Sequence, residues 1–186
     1  TLVMDGPKSV TANYNVAYTV TTVPEGLSVM VDWVTYTTPQ TFGWAPGSSH
    51  LLYVLLPSQT KAGEPGTRYE YQGWSDGQPA FHWLWAVPPT STTYTATFGK
   101  QYSLTTASNP AVGGSVTPAG VSWWNAGATT SGVTATANPG YQFTGWSGAS
   151  TSTANSVPGL VMDGPKVLTA KFEKALAYTL TSVPSG

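Results

Sequence analysis

The chain has 186 residues, 8% of them charged, a formal net charge of −1 at pH 7, no cysteine, 8 Trp and 10 Tyr. The missing cysteines exclude disulfides, thiolate catalysis and thiolate-bound zinc. The lack of a basic run argues against nucleic acid, whose phosphates need clustered Lys and Arg, and no run of about 18 apolar residues is present to span a membrane as a helix.

The sequence opens in mid-pattern, with no initiator Met and no signal peptide, which predicts a piece cut from a longer protein. Leu2-Val3-Met4-Asp5-Gly6-Pro7-Lys8 returns unchanged at 160–166. Thr11-Ala12-Asn13-Tyr14 returns as Thr169-Ala170-Lys171-Phe172 and as Thr95-Ala96-Thr97-Phe98. Tyr18-Thr19-Val20-Thr21 matches 102–105 and 178–181, Trp44-Ala45-Pro46-Gly47 matches 124–127, and Gly73-Trp74-Ser75 matches Gly145-Trp146-Ser147. Self-similarity of this kind signals tandem modules. Residues 1–15 read as the tail of one repeat, 16–99 and 100–175 as two complete repeats, and 176–186 as the start of another.

Within the repeats, runs such as 18–23, 115–118 and 132–137 are short, rich in Thr and Val, and bounded by Gly, Pro or Asn. That is the character of strands joined by tight turns. The predicted fold is all-β, with tandem small β-sheet modules and little or no helix. Asp5-Gly6 and Asp163-Gly164 read as turns. Trp74 and Trp146, each between Gly and Ser, read as core anchors with a local partner for the indole N–H.

Two stretches of the first repeat do not alternate as half-exposed strands should. His50–Leu56 is apolar on both parities, and Phe81–Val87 puts Phe81, Trp83 and Trp85 on one parity with His82 and Leu84 on the other. If His82 and Leu84 face the core, the three large rings face out. The predicted partner face is Trp33, Val34, Leu51, Tyr53, Leu55, Phe81, Trp83 and Trp85, with Asp32, His50 and His82 at its rim. Cover from a neighbouring repeat or a terminal tail would leave the same pattern. A carbohydrate platform is a further alternative, although Leu and Val surround the rings where sugar hydroxyls want polar neighbours.

Little points to chemistry. The eight acids are scattered without a glycosidase-like pair. Two histidines are too few for a zinc site. No catalytic residue, metal or cofactor is predicted. A Lys–Asn cross-link at Lys8 or Lys166 lacks an identifiable acid beside either lysine.

The second repeat carries Asn109-Pro110, Gly113-Gly114-Ser115-Val116-Thr117-Pro118, Trp124-Asn125-Ala126-Gly127, the run 137–147 ending in Gly145-Trp146-Ser147, and Met162-Asp163-Gly164-Pro165-Lys166. In this order the motifs resemble the divergent InlB B-repeat, or bacterial repeat domain. The resemblance implies a small β-rich module, β-grasp-like in its better-known relatives or else sandwich-like. It also implies an extracellular or cell-surface setting in bacteria, and spacer or adhesion duty without catalysis. The first repeat keeps the frame at 46–50, 66–69, 73–77 and 93–98 but has Leu, Tyr, Phe and Trp where related sequences would have outward Ser and Thr. Thr134, Thr136, Ser152, Thr153 and Asn155 of the second repeat are ordinary wet-face residues. Natural divergence and engineering of a binder both leave such a pattern. The function expected is non-enzymatic binding of a protein of unknown identity through this face, with self-association open to it; the alternatives are a passive spacer or a carbohydrate-binding module.

Overall fold

The computed structural model describes residues 6–7 and 14–176. The repeats expected at 1–15 and 176–186 lie almost wholly outside the described residues. The strands are β1 (Val16–Val23), β2 (Ser28–Val31), β3 (Val34–Thr37), β4 (Gln40–Trp44), β5 (His50–Tyr53), β6 (Ser58–Gln59), β7 (Thr67–Trp74), β8 (Phe81–Leu84), β9 (Thr92–Asn109), β10 (Gly114–Thr117), β11 (Gly120–Asn125), β12 (Val133–Ala137), β13 (Tyr141–Gly148), β14 (Ser156–Val157) and β15 (Lys166–Lys174). Among the described residues the one helical element is a 3-10 turn at Ala111–Gly113. The fold is therefore all-β, as predicted.

Two compact units divide the chain. One comprises the described residues up to Lys61 with Tyr69–Gly99; the other comprises Ala62–Arg68 and the described residues from Lys100. In the first, β1 pairs antiparallel with β4 and parallel with the start of β9, and β7 pairs with β9 and β6. A second sheet has the order β3-β2-β5-β8. The other unit repeats this plan. The end of β9 pairs antiparallel with β11 and parallel with β15, β15 pairs with β13, and a separate sheet runs β10-β12-β14. Each core draws residues from both of its sheets, so of the two arrangements expected the modules are sandwiches. What the first module adds is β3, a second arm on the strand equivalent to β10.

Sequence dictates these cores. On β1 every second residue, Tyr18, Val20 and Thr22, is buried, the two-residue period of a half-exposed strand. Tyr18 stacks on Trp44 at 5.1 Å and donates its hydroxyl hydrogen to the Pro88 carbonyl. Trp74 and Trp146 are buried, and their indole N–H groups donate to Ala80 O at 3.4 Å and Ala154 O at 2.9 Å. The Gly113-Gly114 motif has a steric cause: a Cβ on Gly114 would lie 2.4 Å from Thr136 O and 2.5 Å from the Phe172 ring.

Candidate functional site: an aromatic face on the first module

The pairing of β2, β5 and β8 sorts their side chains. Val31, Leu52 and His82 align across the three strands and point into the core, as does Leu84 opposite His50. Met30, Tyr53 and Phe81 align on the opposite surface, with Leu51 opposite Trp83 beside them. Phe81 meets Tyr53 edge-on at 5.2 Å, and Trp83 stacks on Trp85 at 5.6 Å and 26°. Trp33 comes from the β2–β3 turn, and its ring lies 6.2 Å from that of Phe81.

That turn is two residues long, because Val31 pairs with Val34. Two-residue hairpins favour left-handed backbone at both positions, normally supplied by Asn-Gly. Here the residues are Asp32 at φ 48° and Trp33 at φ 68°. A bulky side chain in this region stores strain on the order of 1–3 kcal/mol and persists only where the surroundings hold it. Asp32 does the holding. Its N–H donates to Leu51 O at 3.1 Å, its Oδ1 accepts from Leu51 N–H at 2.9 Å, and its Oδ2 accepts from His50 Nδ1 at 2.7 Å. The imidazole lies flat on Trp44, with centroids 4.0 Å apart and planes 11° apart. At the opposite end of the face, Trp85 is followed by Ala86 at φ 56°. The three non-Gly residues with positive φ among those described thus bracket the aromatic row.

His50 Nε2 lies 2.8 Å from Ser48 Oγ, so Ser48, His50 and Asp32 stand in the order of a nucleophilic relay. The Ser48 hydroxyl hydrogen also has a competing acceptor, Ala45 O at 2.6 Å. A carbonyl only accepts, so that contact takes the hydrogen away from the imidazole. Sequence reading missed this cluster because Asp32 and His50 are far apart until β2 and β5 pair.

Six residues of the predicted face are exposed. Trp85 is 75% exposed, Trp33 64%, Phe81 45% and Trp83 37%, and Val34 and Leu55 are also exposed. Leu51 is a correction. It lies on the outward parity yet has no exposure, and it stands outside the buried cluster of the core. Opposite Trp83 and without exposure, it is not an anchor on the face. Tyr53 is half-buried between Met30 and Phe81. The strand expected to run to Leu56 ends at Tyr53, so Leu55 and Leu56 are both exposed on the following segment. Met30 and Leu56 were missed; the Ser28-Val29-Met30-Val31 alternation was the available signal for the first.

His82 is the second correction. It is buried, not at the rim, because its parity on β8 turns it inward against the Trp74 ring at 5.6 Å. Its Nδ1 donates to Pro79 O at 2.8 Å. Its Nε2 stands 3.2 Å from Asp76 Oδ2 but makes no well-formed hydrogen bond. The two histidines pair with different aspartates, and among the described residues no three His, Asp or Glu side chains are grouped to hold a metal.

Beside the end of β8 lies an open groove of about 360 Å³, lined by Asp76, Gln78, Trp83, Leu84, Trp85 and Tyr94. Burial, and then the charge of Asp76, raise the Tyr71 and Tyr94 phenols above their usual range.

The second module has no such surface on its corresponding strand: Thr134 and Thr136 of β12 are exposed. Among the described residues no helix is long and apolar enough to cross a membrane. Comparison with curated proteins and with solved structures gave no match. The family model of the divergent InlB B-repeat domain matches residues 104–176, a stretch that lies within the second module.

Proposed function

We propose that the first module is a non-enzymatic protein-binding module built on the repeat frame, working at or outside a bacterial cell surface. The supporting observation is the exposed row Trp33, Phe81, Trp83 and Trp85, bracketed by strained backbone at Asp32-Trp33 and at Ala86. Large rings of about 150–250 Å² each, exposed to this degree, present on the order of 500 Å² of apolar surface. Solvent-exposed rings of this extent bring no benefit to a lone domain, whereas Trp and Tyr dominate the energetics of protein contacts. Strain at exposed positions is a mark of sites held in shape for a ligand.

The test is recovery of a partner by the immobilised chain beside a Trp33→Ser/Trp85→Ser variant. The variant is expected to melt within a few degrees of wild type, since both side chains are mostly in solvent, and to lose the partner. Equal recovery by both proteins, or a melting point lowered by tens of degrees, overturns the reading. The relay order of Asp32, His50 and Ser48 favours one second reading, hydrolysis of an activated ester at Ser48. A fluorophosphonate probe decides between them, and an unlabelled chain is the result that the binding reading expects.

A further inference from the structure

We infer that the groove beside β8 receives a cationic side chain, guanidinium or ammonium, from the surface of the partner protein. This rests on the partner-face reading and adds the chemistry of one contact to it. Three of the six lining residues, Trp83, Trp85 and Tyr94, are aromatic, one is the carboxylate Asp76, and none is Lys or Arg. Ring faces carry negative potential and attract cations within about 6 Å of the centroid. A carboxylate in the same groove adds to that field. Its reach is visible at Tyr71 and Tyr94, whose phenols it helps to raise.

The buried histidine behind the groove is the second, independent observation. The Nδ1–H of His82 donates to the Pro79 carbonyl, and its Nε2 stands 3.2 Å from Asp76 Oδ2 without a well-formed hydrogen bond. A cation in the groove would give that carboxylate oxygen a charge-assisted partner. A neutral sugar would not, and it also needs several free polar groups. Asp76 Oδ1 already accepts from the Gln78 N–H at 3.1 Å, which leaves the Gln78 amide as the main further polar group.

The probe is N-acetyl-argininamide, titrated into the whole chain while the Trp indole N–H signals are followed by NMR; N-acetyl-citrullinamide is the uncharged control. Saturable shifts are expected with the arginine compound, and binding at least about tenfold weaker with citrulline, within the range of about 2- to 30-fold that a cation over rings provides. Asp76→Asn is expected to weaken binding about tenfold. Because Asp76 also contacts His82, the exposed Gln78→Glu serves as the second variant; it adds a carboxylate and is expected to tighten binding about threefold. Equal response to both compounds, no gain with Gln78→Glu, or saturable shifts with cellohexaose in place of the arginine compound each overturn the inference. Phe81→Ser separates it from the reading beneath it. Phe81 does not line the groove, so this variant is expected to lose the protein partner and keep the arginine response.

Discussion

Leu51 and Phe81 sit diagonally on neighbouring strands of one surface, and their substitutions should separate by energy. Leu51 is fully buried, so Leu51→Ala is expected to cost about 2–5 kcal/mol in chemical denaturation, the transfer term plus the cavity. Phe81→Ser removes a ring that is nearly half in solvent and is expected to cost about 1–2 kcal/mol while abolishing partner recovery. The tyrosines behind the groove predict a pH effect. Burial first, then Asp76, raises the folded pKa of Tyr71 and Tyr94, so the folded state holds these protons longer than the unfolded chain. The stability they contribute is intact below pH 10 and is lost as pH rises through their folded pKa. Ultraviolet titration of the phenolates should show these two lagging the exposed tyrosines, and Asp76→Asn should narrow the lag. Parity along one strand predicted the direction of Phe81, Trp83 and Leu84. It did not predict the burial of Leu51, which lies opposite Trp83 only once β5 and β8 pair.

The β2–β3 hairpin distinguishes the first module from the second. Its tip holds Trp33 at φ 68°, a conformation that Gly adopts freely. Trp33→Gly is therefore expected to change folding stability by less than about 1 kcal/mol, because relief of backbone strain offsets the lost ring contact with Phe81. A buried Trp→Ala typically costs about 3–5 kcal/mol by comparison. A loss of that size on thermal or denaturant unfolding would mean that Trp33 is part of the core. The hairpin was poorly legible in the sequence. Asp32-Trp33 lacks the Asn-Gly signature of such turns, and the apolar run 51–56 concealed the end of β5 at Tyr53. The repeated motifs were legible because each has a steric cause, as at Gly114 against Phe172. The Asp32–His50 pair was not, since nothing in the linear order says that β2 lies beside β5.

With 7 Lys and Arg against 8 Asp and Glu, the chain has little charge with which to attract a partner from a distance. Its association is expected to rest on apolar contact, so partner recovery should change less than about threefold between low salt and about 1 M. Only the arginine response at the groove should weaken steeply over that range. Thr134→Asp/Thr136→Asp on the second module should leave partner recovery unchanged, whereas loss of recovery would place the contact on that module as well. Both modules share one strand plan, and the first carries β3 in addition. The added arm sits between β2 and β4 in the chain, strands that have counterparts in the second module; Asp32 fastens its tip to β5, and Tyr36 packs its base on Phe42. A new tip sequence that keeps this aspartate and the Tyr36 contact is expected to leave the sandwich folded. On the proposed binding role, such a chain would exchange one target for another by altering a few residues at a single bend, much as a handle accepts different blades.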